Sequence, residues 1–349
     1  MPTPNYRVYY PGYSVGVAAF ASPNTILAVR GAQTASLSGR IPIQYQFEIG
    51  QLATYDSYED VPDVELNVEK LLDGTPPLLT LTTQGATSPS LVGRSNQRCH
   101  VYLAVHRDNQ ALASGNQLRQ AFMSGMYLSS VGYDFTTNGP FRESVGLVGN
   151  NLVWTTGSFT FTGHTATHGV SSLTPTGIGV ARTQHLDMTL SRFPVSIPGI
   201  SSSGTNNRDT GPEGGDMPAV PFNSIRTNVS LGRTGIPALG QRGPYFRFAE
   251  FPADVTTTFE FNSLAGAMVN LTEAGSQPDG DNTVDETILL RTTEGTRVNL
   301  GSRNRLTSIS ESGGDAGGST NNRSLTFTYV NKSDMTVQHP TDPTVGLRP

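Results

Sequence analysis

The sequence predicts a mainly β protein built as two tandem antiparallel domains, and three observations carry that prediction. Only 15% of the residues are charged, while 38 Gly and 23 Pro punctuate the chain, a profile of short strands and many turns. Several runs alternate apolar and polar side chains with the period of two that a half-buried strand requires. The third observation is that the chain says nearly the same thing twice.

The first statement reads Ser-Leu-Ser-Gly-Arg-Ile-Pro-Ile at 36–43, then Tyr55, then Pro-Asp-Val-Glu-Leu-Asn-Val-Glu at 62–69, closing on Leu72-Asp73-Gly74. The second reads Ser-Leu-Gly-Arg-Thr-Gly-Ile-Pro at 230–237, then Tyr245, Pro252, Asp254-Val255 and Phe259-Glu260, closing on Leu264-Ala265-Gly266. Further on, Tyr-Leu-Ser-Ser-Val at 127–131 answers Arg-Leu-Thr-Ser-Ile at 305–309. Two diverged copies of one domain explain this order. A duplicated β domain suits a ring built from fewer, longer subunits, because symmetric assembly repeats one interface around an axis.

At 349 residues each copy is long enough to bury its own core. Residues 1–30 are turn-rich and read as an N-terminal arm. The first domain, 31–163, contains the cleanest alternation: Val64, Leu66 and Val68 share the core face of a strand whose other face carries Asp63, Glu65, Asn67 and Glu69. Strands are expected also at 99–106, 143–149 and 157–163. Leu118, Ala121, Phe122, Gly125 and Met126 fall at helical spacing behind Ser-Gly-Asn-Gln at 114–117, so one short helix is expected at 114–126. Residues 164–222 turn to Gly, Ser, Thr, Pro and Asn and read as a linker, with strand potential at 178–192. The second domain, 223–349, repeats the strand with Val255, Phe259 and Phe261 on its core face, and adds strands at 286–292 and 324–330.

The composition also limits function. A formal net charge of −5 argues against a chain that grips nucleic acid by its phosphates. Cys99 is the one cysteine, so no intrachain disulfide forms, which suits a reducing cytoplasm. The beginning of the chain lacks a basic region followed by an apolar run, and no stretch has the length of a membrane span; a soluble, unexported chain is expected. Lysine occurs only as Lys70 and Lys332, so nearly all positive charge is arginine, the residue favoured in buried contacts between subunits.

No constellation for catalysis or cofactor binding emerges. His164 and His168 have zinc-like spacing but no third ligand, and the acidic run Asp279, Asp281, Asp285 lacks the glycine and the bidentate Glu of a calcium loop. The glycine run at 313–318 lacks the Lys-Ser/Thr ending of a phosphate loop and reads as a hairpin tip. Cys99 and His100 are neighbours on a strand and so point to opposite faces. Trp154 and the tyrosines read as core or interface, with a sugar-stacking role as the alternative. No catalytic residue, metal or cofactor is expected, and the chain is read as not an enzyme.

Taken together, 49–55 (Ile-Gly-Gln-Leu-Ala-Thr-Tyr), 61–74, 141–150 (Phe-Arg-Glu-Ser-Val-Gly-Leu-Val-Gly-Asn), 228–233 and 243–255 resemble tail tube proteins of tailed bacteriophages. The likeness covers most of 30–160 and 222–345. It implies two tandem tail-tube-like β-sandwich or barrel domains that close side by side into rings, and rings that stack into a hollow tube through which DNA passes. A trimeric pseudo-sixfold ring is expected from the duplication, with a hexamer as the alternative. Implied partners are further copies of the chain, a tail sheath if the tail contracts, a tape measure protein and transient phage DNA. The implied location is the virion tail, assembled in the host cytoplasm. Glu48, Asp56, Glu59, Asp60 and Glu65 are candidate lumen or ring-stacking residues, the competing reading being an ordinary solvated face. A terminator or baseplate hub ring, and a carbohydrate-binding or decoration protein, remain as other functions.

Overall fold

The computed structural model describes residues 13–106, 117–156, 161–162, 179–190, 222–240, 243–244, 246–262, 285–312 and 324–339. The first half contains β1 (Tyr13–Ala19), β2 (Ile26–Ala28), β3 (Ala32–Arg40), β4 (Ile43–Phe47), β5 (Thr54–Glu59), β6 (Asp63–Leu71), α1 (Leu78–Thr82), α2 (Leu91–Ser95), β7 (Arg98–His106), β8 (Gln117–Thr136), β9 (Arg142–Gly149), β10 (Val153–Thr155) and β11 (Phe161–Thr162). A 3-10 turn at Thr183–His185 leads into β12 (Leu186–Leu190). The second half contains β13 (Phe222–Ser230), β14 (Arg233–Ile236), β15 (Phe246–Ala249), β16 (Asp254–Asn262), β17 (Ile288–Thr292), β18 (Arg297–Asn299), β19 (Arg305–Ser312), β20 (Ser324–Lys332) and β21 (Thr336–Gln338). The fold is mainly β and antiparallel; among the described residues β11 with β2 is the parallel exception.

The two halves repeat one order of strand pairing. Four strands of the first half pair as β3-β6-β9-β8, four of the second as β13-β16-β20-β19, and β8 joins β13 to make one continuous sheet. The words at 63–64 and 254–255 and those at 127–131 and 305–309 occupy matched registers, whereas the words at 36–43 and 230–237 are offset, Leu231 taking the place of Ile41 rather than Leu37. Between β8 and β9, Leu128 faces Leu147 and the ladder then slips so that Ser130 faces Gly146. Between β19 and β20, Leu306 faces Tyr329 and the ladder slips at the same place, Ser308 facing Thr328. A β-bulge kept at one position in both copies is a shared structural device.

One face of this sheet forms the core. Leu66, Phe259, Phe261 and Phe327 are fully buried, as are Val64, Val68 and Val255. The first copy fills its middle with aliphatic pairs, Val68 opposite Val145 and Leu66 opposite Leu147. The second uses aromatics in the matched places: Phe259 faces Phe327, and Tyr329 lies edge-on to Phe259 with ring centroids 5.7 Å apart. β7, β1 and β2 continue the sheet from the first part of β8, and side chains of β1, β7 and the small sheet β12-β17-β18-β21 share one core with this face.

Several expectations meet the structure differently. Residues 13–28, inside the stretch read as an arm, form β1 and β2, and β1 pairs along its whole length with β7. Within the stretch read as a linker, Leu186–Leu190 supplies β12, the neighbour of β17, in keeping with the strand potential read at 178–192. The expected helix at 114–126 is corrected: its described residues, from Gln117 on, belong to the long strand β8. The cause is two bulges. Opposite Cys99 and Val101 the strand places Met126 and Met123, with Gly125 at φ +64° absorbing the extra residue, and opposite Val105 and His106 it places Arg119 and Gln117, skipping Leu118. The apolar core positions then step from Ala121 to Met123 to Met126. A three-residue step inside a period of two imitates helical spacing.

The helices lie elsewhere. α1 follows Pro76-Pro77 and is entirely buried, and its first two free amides, of Leu78 and Leu79, donate to the Glu143 carboxylate at 2.5 and 3.0 Å. Tyr133 donates its hydroxyl to the same carboxylate at 2.8 Å, and Lys70 stands directly across the ladder from Glu143. Lys70, wholly buried, donates to Asp73 at 3.0 Å. Ser90 caps α2 through the amide of Gly93.

Candidate functional site

The face of the eight-strand sheet turned away from the core is polar. Its positions on β6, β8, β9 and β13 include Glu69, Asp134, Arg142 and Arg226, and three ion pairs stand on it: Arg142 with Glu69 at 2.6 Å, Arg226 with Asp134 at 3.4 Å, and Lys332 with Asp254. Cationic side chains paired this way leave little free positive charge to hold a phosphate.

Both ends of the sheet are open. Among the described residues β3 pairs with β6 alone and β19 with β20 alone. β3 (Ala-Gln-Thr-Ala-Ser-Leu-Ser-Gly-Arg) is nine residues long and β19 (Arg-Leu-Thr-Ser-Ile-Ser-Glu-Ser) eight, and neither carries a Pro or Lys. Strands of this length without blocking residues are templates for another strand. The matching edge inside the chain is already used. β8, the counterpart of β19, pairs with β13, the counterpart of β3, with Val131 opposite Val229 and Gly132 opposite Asn228.

The internal junction is latched by a hairpin. Between β13 and β16 the chain folds out as β14–β15 and returns over the first copy. Arg233 donates from Nε to the Leu128 carbonyl at 2.6 Å and from Nη2 to the Ser95 carbonyl at 2.7 Å, and its guanidinium lies 5.4 Å from the Tyr127 ring centroid. Burial pulls its pKa down to about 10, with the Arg247 charge adding to the effect. Arg247 reaches the Asp63 carboxylate at 2.7 Å and Asn150 Oδ1 at 3.1 Å. Phe246 meets Tyr127 edge-on at 5.3 Å. Between hairpin and sheet remains a cleft of about 400 Å³ bordered by Asp63, Glu65, Asn67, Ser129, Arg233 and Arg247. Sequence reasoning missed both arginines as a pair; the arginine bias of the chain was the available signal.

The first copy has the corresponding hairpin, β4–β5, between β3 and β6, and every residue of it is exposed. Phe47 is 71% exposed, Ile49 and Leu52 fully so. Four of the five candidate acidic residues gather here: Glu48, Asp56, Glu59 and Asp60 lie on the hairpin and its flanks. Glu65 does not join them and lines the cleft on the sheet.

Other residues singled out by sequence are apart from this site. Cys99 is buried in the core and donates to the Met126 carbonyl; burial pushes its thiol up to about 12. His100 points the other way and stacks between Phe20 and Phe122 at 5.0 and 5.5 Å. Trp154 is half exposed on β10, and Asp285 accepts from Arg305 at 3.1 Å. His164, His168, Tyr245, Asp279, Asp281 and the glycine run at 313–318 lie outside the described residues. Among the described residues no cluster of three or more His, Cys, Asp or Glu could hold a metal ion, and no helix is long and apolar enough to cross a membrane.

No protein-family model matches the chain, and no curated protein does. Among solved structures the chain is similar to a protein in the cryo-EM structure of the anti-feeding prophage baseplate, at 15% identity and TM-score 0.31, over 44% of this chain and 97% of that one. It is similar to a protein in the anti-feeding prophage cap, which terminates the tube, at 11% identity and TM-score 0.33, over 44% and 95%. It is also similar to Hcp1 from Flavobacterium johnsoniae, at 8% identity and TM-score 0.23, over 42% and 98%.

Proposed function

We propose that this chain is a non-enzymatic structural protein of a phage-like tail, whose copies close into rings that stack as a hollow tube. One observation carries the reading: two four-strand repeats are joined edge to edge in one sheet, and the two edges left open are counterparts of the two edges already joined. A contact that repeats head to tail closes into a ring when its rotation allows. Three protomers, each giving two repeats, form the pseudo-sixfold ring implied by the likeness to tail tube proteins.

The sheet's apolar face is buried in a core shared with side chains of β1, β7 and the small second sheet. On closure the polar face is therefore the one left to line the lumen. Arg142, Arg226 and Lys332 on it are paired with carboxylates, so a duplex slides past with little to grip it. The exposed hairpin β4–β5, with its apolar tip and acidic flanks, belongs to contacts between copies. Tape measure protein and DNA are the lumen's occupants, and a sheath its outer partner if the tail contracts. Negative-stain electron microscopy of the concentrated protein tests the reading: hollow rings or tubes are expected, and particles that stay single at every concentration overturn it.

A further inference from the structure

The ring reading leaves open how one protomer grips the next, and the internal junction supplies a template for that contact. The registers within each copy fix which residues are counterparts. Val131 and Ile309 occupy the same place after the shared bulge, as do Ser129 and Thr307. Val64 and Val255 face Gly39 and Val229 respectively, which makes Gly39 the counterpart of Val229 and Ser38 that of Asn228. Two residues beyond Gly39, Ile41 corresponds to Leu231, whose amide donates to the Ser129 carbonyl at 2.7 Å.

Resting on the ring reading, we infer that β19 of one protomer pairs antiparallel with β3 of the next in the register of the internal junction. Ile309 then stands opposite Gly39, Ser310 opposite Ser38, and the Ile41 amide at the Thr307 carbonyl. Burial supports the occupant. Leu231 is 2% exposed at the internal junction while its counterpart Ile41 is 56% exposed, and Val131 is buried while Ile309 is only half-buried. Each of these side chains has the environment of a position whose neighbour is missing, and a second copy of the chain presents that neighbour.

The two junctions differ in chemistry. By the hairpin registers the latch residues Arg233 and Arg247 are replaced in the first copy by Ile43 and Ser57. The acceptor Asp63 has Asp254 as its counterpart, and Asp254 is engaged by Lys332 of its own chain. Arginine thus fastens the permanent junction inside the chain. The junction between protomers is a backbone ladder with Ile41 and Ile43 closing over Leu306, a contact that can form after each chain has folded.

Cysteine cross-linking reads the register directly, because directly opposed residues of an antiparallel pair lie within the Cα span of a disulfide. Cys99 is buried and does not compete. With diamide as oxidant, the double variant S38C/S310C is expected to give covalent multimers ending at the closed ring, and the pair displaced by two residues, S36C/S310C, is expected to lose them. If unmodified protein forms rings but the displaced pair cross-links as well or better, or neither pair does, the register is overturned while the ring reading stands. If neither rings nor cross-links form, both fall. As a second variant, Ile41→Asp should keep the melting temperature of the free chain and lose the rings; rings that persist overturn the inference.

Discussion

Replacing Arg233 by alanine removes the latch that holds the second copy on the first. Two hydrogen bonds from the guanidinium end on the Leu128 and Ser95 carbonyls, at 2.6 and 2.7 Å. A hydrogen bond to a charged donor contributes about 1.5–3 kcal/mol. The Tyr127 face, 5.4 Å from the guanidinium, contributes about 0.5–1 kcal/mol more. Against these stands the cost of part-burying the cation, visible in the pKa pulled to about 10. The net loss expected is about 3 kcal/mol. At about 2.1 cal/mol/K per residue, a chain of 349 residues unfolds with an entropy of about 0.7 kcal/mol/K, so Tm should fall by about 4 °C. Arg233→Lys should recover less than half of this, because a single ammonium cannot serve two carbonyls on separate elements as a planar fork does. Calorimetry of both variants is the assay. If Arg233→Ala melts within a degree of the parent, the hairpin does not latch the junction.

Val64→Asp and Val255→Asp each place a charge on the buried sheet face, at positions 3% and 0% exposed, and each should unfold its own copy. Limited proteolysis should cut the affected half first, and parental melting in both variants would contradict the strand assignment. Glu143 is buried, and its carboxyl is held above the usual range by burial, against the pull of the Leu79 amide and Lys70. A folded-state pKa above the unfolded value favours the protonated folded form, so the stability it brings is present at low pH and lost as pH rises through the raised pKa. Relative to the parent, Glu143→Gln should therefore gain ground as pH is raised from acid to neutral, and a difference in Tm that does not change with pH would refute the assignment.

The repeated strand pattern was legible because its signal is local. Asp63-Val64 and Asp254-Val255 begin alternating strands whose period is fixed by the pleat, and the bulge after Leu128 and Leu306 sits inside matched words. Bulges in the β7–β8 ladder misled the reading of 114–126, since periodicity alone cannot tell a three-residue step in a strand from a helical turn. α1 and α2 span five residues each, too few for a periodic signal; Pro77 before Leu78 and Ser90 with Gly93 were the cues at hand. The edges and latches were not legible. That Arg233 meets the Ser95 carbonyl is a contact across 138 positions, set by the way the two copies dock. Glu48, Asp56, Glu59 and Asp60 could be read as a polar face, but their gathering on a protruding hairpin follows from the return of β5 beside β4.

The central claim is that the open edges β3 and β19 meet between copies as β8 and β13 meet within one. End-on class averages of the concentrated protein by electron microscopy test it most directly. The account predicts hollow rings or tubes of three protomers with six near-equal repeats around a lumen. Compact particles without a central opening, or filaments in which the copies do not surround an axis, would contradict it.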